Sequence, residues 1–304
     1  MIHKMEVEIA GVRFKNPLIA ASGTFGYGKE YEKFYSLSKL GGISVKGTTD
    51  LPRIGNLSPR IAETPMGMLN SVGLENPGID HFIEHELPWL MEKNTIIIAN
   101  IAASTPELCA EIAKKLDKTN IHMVELNISC PNVKQGGAAF GTSAQAAFDV
   151  VSKVRKKTSK PLMVKLSPNV TSIVEIAKAV EGAGADVVSL INTLLGMRID
   201  IKTRRPILRN NVGGLSGPAI FPVPVRIVWQ VYKAVKIPVV GGGGISSAQD
   251  AIEMMVAGAS AFQVGTAIFT NPYSPIEIIN DLKAWMEMNN IKNISEIVGT
   301  VNDW

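Results

Sequence analysis

Cysteine is scarce in this sequence, and its scarcity excludes several kinds of protein. The chain has two cysteines among 304 residues, Cys109 and Cys130. Two thiols cannot form the disulfide framework of a small secreted domain, and they are too few to bind an iron–sulfur cluster. No second cysteine and no histidine belongs to the motif around Cys130, so no metal site is expected there.

Long apolar runs and a strong excess of one charge are also missing. No uncharged apolar run approaches the ~18 residues that cross a bilayer, and no signal peptide is visible at the N-terminus. The formal net charge is +4, from 31 basic and 27 acidic residues, and the basic residues form no long run. This balance argues against a nucleic-acid partner. We therefore expect a cytoplasmic protein that binds neither nucleic acid nor a membrane.

Short β-branched runs alternate with helical patterns along the whole chain, which is typical of parallel βαβ units. Candidate core strands lie at residues 17–21, 42–46, 95–100, 122–127, 161–166, 186–191, 237–241 and 261–264. Candidate helices lie at 105–116, 143–157, 172–181, 219–235, 247–257 and 275–288. These eight strands predict an α/β protein with a single domain over residues 1–304, a (β/α)8 TIM barrel.

Other segments extend this fold prediction. Residues 7–14 alternate about Ala10 and Gly11, which predicts a small N-terminal hairpin at the bottom of the barrel. Long loops follow the second, fourth and sixth strands, at 47–79, 130–140 and 196–217, and the loop at 130–140 suggests a lid over a substrate. A doubly wound sheet is the alternative fold, but the first strand leads into ASGTFG, which is not a dinucleotide fingerprint.

Polar residues close several of the apolar strands. A barrel brings the carboxyl ends of its strands to one mouth, where such residues would share a pocket. Two of them are lysines, which are rarely buried without an anionic partner. A ligand that develops negative charge, such as a reduced flavin, would provide one. The residues are Lys46, Asn100, Asn127, Lys165 and Asn192.

Glycines follow the last two predicted strands. The run GGGGIS at 241–246 follows the seventh strand, and Gly265 with Thr266 follows the eighth. Backbone amides without side chains, next to a helix N-terminus, bind anions, and many barrels bind phosphate at these two loops. The pattern predicts a phosphate site, which flavin mononucleotide and sugar phosphates would share.

Cys130 is the candidate nucleophile or base, because it lies just beyond the fourth strand in the motif NISCPN. Cys109 lies inside a predicted helix and fits a small buried hydrophobe. No histidine lies at a strand end on the expected mouth, so the usual imidazole base is not expected. The histidines are His3, His81, His85 and His122, the last at the start of a strand.

Taken together, the motifs resemble the dihydroorotate dehydrogenase family from about residue 20 to residue 270. They are ASGTFG at 21–26, KGTT at 46–49, NSVGL at 70–74, NISCPN at 127–132 and Asn192 with Thr193. A cysteine at position 130 resembles the class 1 enzymes. The motifs KGTT and GLSGP, the latter at 214–218, resemble class 1B, the NAD-linked type.

The resemblance implies a reaction and a set of roles. Dihydroorotate would be oxidised to orotate in de novo pyrimidine biosynthesis, with Cys130 as base and FMN as hydride acceptor. FMN would be bound by Ser22, Lys46, Gly47, Asn100, Asn127, Lys165, Ile191, Gly217, Gly243, Gly244, Gly265 and Thr266. The substrate would be bound by Lys46, Asn70, Ser71, Val72, Gly73, Leu74, Asn127, Asn192 and Thr193, with Asn132 as a further candidate.

The resemblance also implies partners. A homodimer of this chain would join a subunit that carries FAD and a [2Fe–2S] cluster, giving a heterotetramer that reduces NAD+. Alternatives are a fumarate-linked class 1A enzyme, a related dihydropyrimidine dehydrogenase, and a sugar-phosphate aldolase or isomerase barrel that uses Lys46 or Lys165. A barrel that serves only as a scaffold is the remaining alternative. The roles of Glu125 and of the arginines in 196–217 stay open.

Overall fold

Eight parallel strands close into a barrel in the computed structural model, which describes residues 3–129 and 140–304. The strands pair in chain order, and the eighth pairs with the first, so all carboxyl ends face one mouth. The predicted (β/α)8 fold is confirmed. The strands are Leu18–Ala20, Gly42–Ser44, Ile96–Ile101, Met123–Asn127, Leu162–Lys165, Val187–Leu190, Val239–Gly242 and Ala261–Val264.

The strands lie within two residues of their predicted bounds. Nearly all of their residues are buried, as expected when helices cover one face and the barrel interior covers the other. The second strand ends at Ser44, so Lys46 lies just beyond it, whereas Asn127 and Lys165 are the last residues of their strands. The barrel therefore places the polar residues at its mouth, as predicted.

Helices surround the barrel, and Thr105 and Ser143 cap two of them by accepting hydrogen bonds from backbone amides. The predicted helix at 219–235 is instead a 3-10 turn followed by a helix that begins at Pro222, because a proline fits the first turn better than a helix interior.

Across the described ranges, no helix combines the length and the apolar character that would cross a bilayer. The longer helices are Pro106–Asp117, Ala144–Arg155, Ile173–Gly182, Pro222–Tyr232, Ala248–Val256 and Ser274–Met288, and the shorter helical segments are Tyr31–Lys33, Leu37–Lys39, Ile79–His81, Phe82–Glu86, Leu87–Met91, Pro218–Ile220, Ala267–Thr270 and Ile294–Ile297.

The predicted N-terminal hairpin is present. Val7–Ile9 pairs antiparallel with Val12–Phe14, and the turn uses positive φ at Ala10 and Gly11. Phe14 is buried, and its ring lies against Gly42 at the start of the second barrel strand. The hairpin therefore packs at the end of the barrel opposite the mouth.

A second sheet, which sequence patterns did not predict, joins the long loops after the second and sixth strands. Its antiparallel order is Leu194–Gly196, Gly213–Ser216, Gly67–Asn70 and Ile61–Thr64, and we call it the mouth sheet. Arg198 also crosses between the loops, donating to the carbonyl of Glu63 at 2.9 Å. A two-stranded ribbon, Ile199–Asp200 with Arg205–Pro206, extends from the second loop. Of the suggested lid at 130–140, all but Phe140 lies outside the described residues.

Gly67→Ala tests the mouth sheet. A Cβ at Gly67 would collide with the carbonyl oxygen of Ser216 on the neighbouring strand. We expect faster hydrogen exchange of the amides in 67–70 and 213–216, and unchanged exchange in the barrel strands. Gly182→Ala is the control, because the nearest atom to its Cβ would be 4.0 Å away. Unchanged exchange in the first variant would contradict a rigid pairing of the two loops.

Candidate active site

A cavity of about 220 Å³ lies at the mouth of the barrel. The strand ends form its floor, and the mouth sheet contributes Ile61, Met68, Asn70 and Ser216 to its wall. The five polar residues of the strand ends all line it, although they come from distant parts of the chain: Lys46, Asn100, Asn127, Lys165 and Asn192.

Most residues with an implied role line this same cavity. They are Ser22, Gly47, Asn70, Val72, Gly73, Leu74, Ile191, Thr193, Gly243, Gly244, Gly265 and Thr266, in addition to the five above. Ser71 and Gly217 do not line it. Ser71 is fully buried behind its neighbours, and Gly217 supports the loop of Gly244, whose Cβ would lie 2.9 Å from the Gly217 carbonyl oxygen. Cys130 and Asn132 lie outside the described residues.

Lys165 places a buried positive charge in the cavity wall. The residue is 7% exposed, and its Nζ donates to Gln263 Oε1 at 3.3 Å and to Ser22 Oγ at 3.5 Å. Both of these partners are neutral. Because neither partner is a carboxylate, the ammonium group can still donate to an anionic ligand that enters the cavity.

Lys46 brings a second ammonium group to the cavity from just beyond the end of the second barrel strand. Burial lowers its pKa below the usual lysine value, while the charges of Glu75 and Arg60 act on it in opposite directions. The side chain also borders an open surface hollow that includes Tyr27 and Arg53. Lys46 therefore lies between the cavity and the surface, where an incoming anion would meet it.

Hydrogen bonds set the orientation of two asparagines. Asn127 Oδ1 accepts from the Ser129 backbone amide at 3.1 Å and from Ser129 Oγ at 2.7 Å. Asn192 Nδ2 donates to Ser129 Oγ at 2.9 Å, and its Oδ1 accepts from the amide of Thr193 at 2.8 Å. Because the Asn127 oxygen is engaged, Asn127 offers its amide N–H groups to a molecule in the cavity.

Asn100 offers a hydrogen-bond acceptor to the cavity, whereas Asn127 offers donors. Its Nδ2 donates to Glu125 Oε2 at 2.6 Å and lies 3.2 Å from Ser22 Oγ. Its Oδ1 is buried and has no hydrogen-bond partner in the described parts of the chain. A buried acceptor without a partner is costly, so a ligand that presents an N–H group here would satisfy it.

The glycine loop after the seventh strand has the backbone expected of an anion site. Gly243 and Gly244 adopt φ of 119° and 82°, which favour glycine. The helix that follows is already capped by its own Asp250, which accepts from the amides of Ser246 and Ser247 at 2.8 and 2.9 Å. An anion would therefore be bound by the loop backbone rather than by that helix N-terminus.

Sequence patterns missed Gln263, which lines the cavity and contacts Lys165. It lies inside the short strand Ala261–Val264, whereas the predicted polar residues lie at or near the ends of their strands. The signal was a single polar residue in an otherwise apolar strand, two positions before Gly265 and therefore on the same face of the strand. The wall residues Ile61, Met68 and Phe269 had no such signal.

Ser129→Ala tests the cluster of asparagines. Loss of the hydroxyl removes a donor to Asn127 and an acceptor for Asn192, which should cost about 1 kcal/mol of stability. We expect a lower melting temperature than for Ser152→Ala, a control on the helix Ala144–Arg155 where alanine is a better helix former. Equal melting temperatures would show that the Ser129 hydroxyl contributes nothing to the site.

Comparison with known proteins identifies the family of this chain. Residues 4–286 match the family profile described as Dihydroorotate dehydrogenase. Three relatives carry the name "Dihydroorotate dehydrogenase B (NAD(+)), catalytic subunit". The protein of Geobacillus sp. (strain WCH70) is 54% identical over 299 residues, which are 98% of this chain and 96% of the relative. That of Geotalea uraniireducens (strain Rf4) is 54% identical over 298 residues, 98% of each chain. That of Bacillus cereus (strain G9842) is 54% identical over 299 residues, 98% of this chain and 97% of the relative. This chain therefore belongs to the dihydroorotate dehydrogenase family.

Proposed function

We propose that this chain is the catalytic subunit of an NAD-linked dihydroorotate dehydrogenase, and that it oxidises dihydroorotate to orotate in pyrimidine biosynthesis. The observation that carries the proposal is the meeting of two lysines and three asparagines from separate strand ends in one cavity. The relatives at 54% identity over nearly the full length bear the name of this activity.

We assign FMN as the cofactor of this cavity, where it would supply a ring that accepts a hydride. Three features of the chain fit the group. Lys165 provides a buried positive charge beside neutral partners, and Asn100 Oδ1 requires an N–H donor such as the flavin pyrimidine ring offers. Gly243 and Gly244 line the cavity, and successive positive-φ residues of this kind can direct backbone amides at a phosphate.

The remaining polar residues suit dihydroorotate. The substrate ring carries carbonyl and N–H groups, and side-chain amides offer donors and acceptors to both. Asn127 offers N–H groups because Ser129 occupies its oxygen, while Asn70, Asn192 and Thr193 complete the polar wall. Lys46 provides a positive charge for the substrate carboxylate.

Cys130 is the proposed base. It lies outside the described residues, but it directly follows Ser129, which hydrogen bonds place beside Asn127 and Asn192. The Cys130 thiolate would take the proton from substrate C5, while a hydride leaves C6 for the flavin and the C5–C6 double bond forms. The protein's part in this step is to bind the ring, exclude water and hold the proton on sulfur.

The electrons need a route out of the subunit. With two cysteines in the whole sequence, this chain cannot ligate an iron–sulfur cluster by itself. We infer a partner subunit with FAD and a [2Fe–2S] cluster, joined to a homodimer of this chain, because the relatives are named as NAD-linked catalytic subunits. Exposed apolar residues on and beside the mouth sheet, Met66, Leu195 and Ile199, offer surface for such contacts.

Cys130→Ala tests the base and the reaction. Dihydroorotate should bleach the bound FMN of the wild-type protein under anaerobic conditions, faster toward alkaline pH, because a free thiol has a pKa of ~8.5 and acts as thiolate. We expect Cys130→Ala to slow this reduction by orders of magnitude in stopped-flow measurements, while dihydroorotate still binds.

Cys109→Ala is the matched control for that experiment. Burial raises the pKa of Cys109 to about 12, so this thiol stays protonated, and its removal should leave both the rate and its pH dependence unchanged. Reduction of Cys130→Ala at near wild-type speed would remove the thiol from the reaction. A wild-type protein that binds no FMN would contradict the proposed function itself.

Gly244→Ala tests the phosphate site. The position has φ of 82°, and a Cβ would lie 2.9 Å from the Gly217 carbonyl oxygen, so the loop must shift. We expect the affinity for FMN to fall by about tenfold or more, a loss of roughly 1.4 kcal/mol. The affinity for riboflavin, which lacks the phosphate, should change little. Gly182→Ala is the control, and an equal loss for both flavins would place the phosphate elsewhere.

A further inference from the structure

A carboxylate lies beneath the cavity in the interior of the barrel. Glu125 is the third residue of the strand Met123–Asn127 and is fully buried. Its oxygens accept hydrogen bonds from side chains of four other strands. The donors are Ser44 Oγ at 2.5 Å, Asn100 Nδ2 at 2.6 Å, Ser189 Oγ at 2.9 Å and Gln263 Nε2 at 2.9 Å.

These donors keep the carboxylate ionised. Burial alone would raise the pKa of Glu125, but the charge of Lys165 and the hydrogen bonds from Ser44, Asn100 and Gln263 outweigh it, and the pKa lies below its usual value. Two carboxylate oxygens have about four acceptor sites, and four donors fill them. A buried negative charge therefore persists behind the floor of the cavity.

The carboxylate also decides which way two amides point. An ionised carboxylate only accepts hydrogen bonds, so Asn100 and Gln263 must turn their NH2 groups toward it. Asn100 is then left with its oxygen unpaired, and Gln263 Oε1 accepts from Lys165 Nζ at 3.3 Å. Glu125 thus fixes the orientation of the side-chain amides of Asn100 and Gln263 directly. Through Gln263 it also holds the ammonium group of Lys165.

We propose that Glu125 is a positioning residue that orients Asn100 and Gln263, anchors the Lys165 ammonium through Gln263, and sets the net charge beneath the cavity. The proposal rests on the proposed function, because the charge acts on the FMN that this cavity is proposed to bind. Lys165 alone would favour the anionic reduced flavin strongly, and the negative charge of Glu125 behind it moderates that preference.

The first experiment measures the flavin reduction equilibrium against a reference dye. In Glu125→Gln the loss of a negative charge should favour the reduced flavin by about tenfold, equivalent to about 30 mV for a two-electron couple. Glu86→Gln is the matched control. Glu86 is the other buried glutamate of the described residues, it pairs with Lys29 at 2.8 Å, and it does not line the cavity. Its variant should keep the wild-type equilibrium.

The outcomes separate this proposal from the proposed function. Wild-type protein that fails to bind FMN, or whose flavin dihydroorotate does not reduce, contradicts the function. Wild-type protein that does both, with Glu125→Gln and Glu86→Gln giving the same equilibrium, overturns the role of Glu125. A purely structural glutamate would lower the melting temperature without moving the equilibrium.

A second experiment covers the case in which Glu125→Gln does not fold alone. Lys165→Met leaves the buried carboxylate without its cation, and adding Glu125→Gln removes the charge that was left uncompensated. We expect the double variant, without flavin, to melt several degrees above Lys165→Met. A double variant that melts at or below Lys165→Met would show that the two side chains are not coupled and would overturn the proposal.

Discussion

The constraint on which the site depends is the burial of two opposite charges in a closed barrel without direct contact between them. Glu125 lies in the interior and Lys165 at the mouth, and Gln263 bridges them by donating to one and accepting from the other. Each charge is costly without the other, because the surrounding strands are apolar. The polar residues between them therefore have little freedom, and the cavity is arranged before a ligand arrives.

Cofactor and substrate contacts are assigned to different parts of the architecture. The barrel strands and their glycine loops supply the groups proposed for FMN, whereas the insertion after the second strand supplies Asn70, Gly73 and Leu74. Thr266 connects the two parts by donating to Ser216 Oγ of the mouth sheet at 2.8 Å. A barrel of common type thus becomes selective through an added sheet, which agrees with the usual placement of active sites in this fold.

Local patterns predicted the barrel and the polar strand ends of the candidate site for a clear physical reason, while most other site residues were implied only by the family resemblance. A strand buried on both faces is apolar, so Lys165 or Asn127 at its end stands out against its neighbours, and closure of the barrel brings such ends together. The partners of Glu125 could not be predicted, because they come from four other strands and depend on the register between them. The mouth sheet was missed because its strands are only three or four residues long and its two halves lie in separate loops. Gln263 could have been found by searching strand interiors for single polar residues.

The mouth sheet pairs residues 67–70 with residues 213–216, so its central ladder joins segments separated by four of the eight barrel strands. Such a pairing has a high contact order and a large loop-closure entropy, and it forms slowly unless the intervening chain is already compact. During synthesis the first half of this ladder leaves the ribosome long before its partner exists. The wall that the mouth sheet gives to the cavity is therefore a late product of folding, completed only after at least six barrel strands have been made.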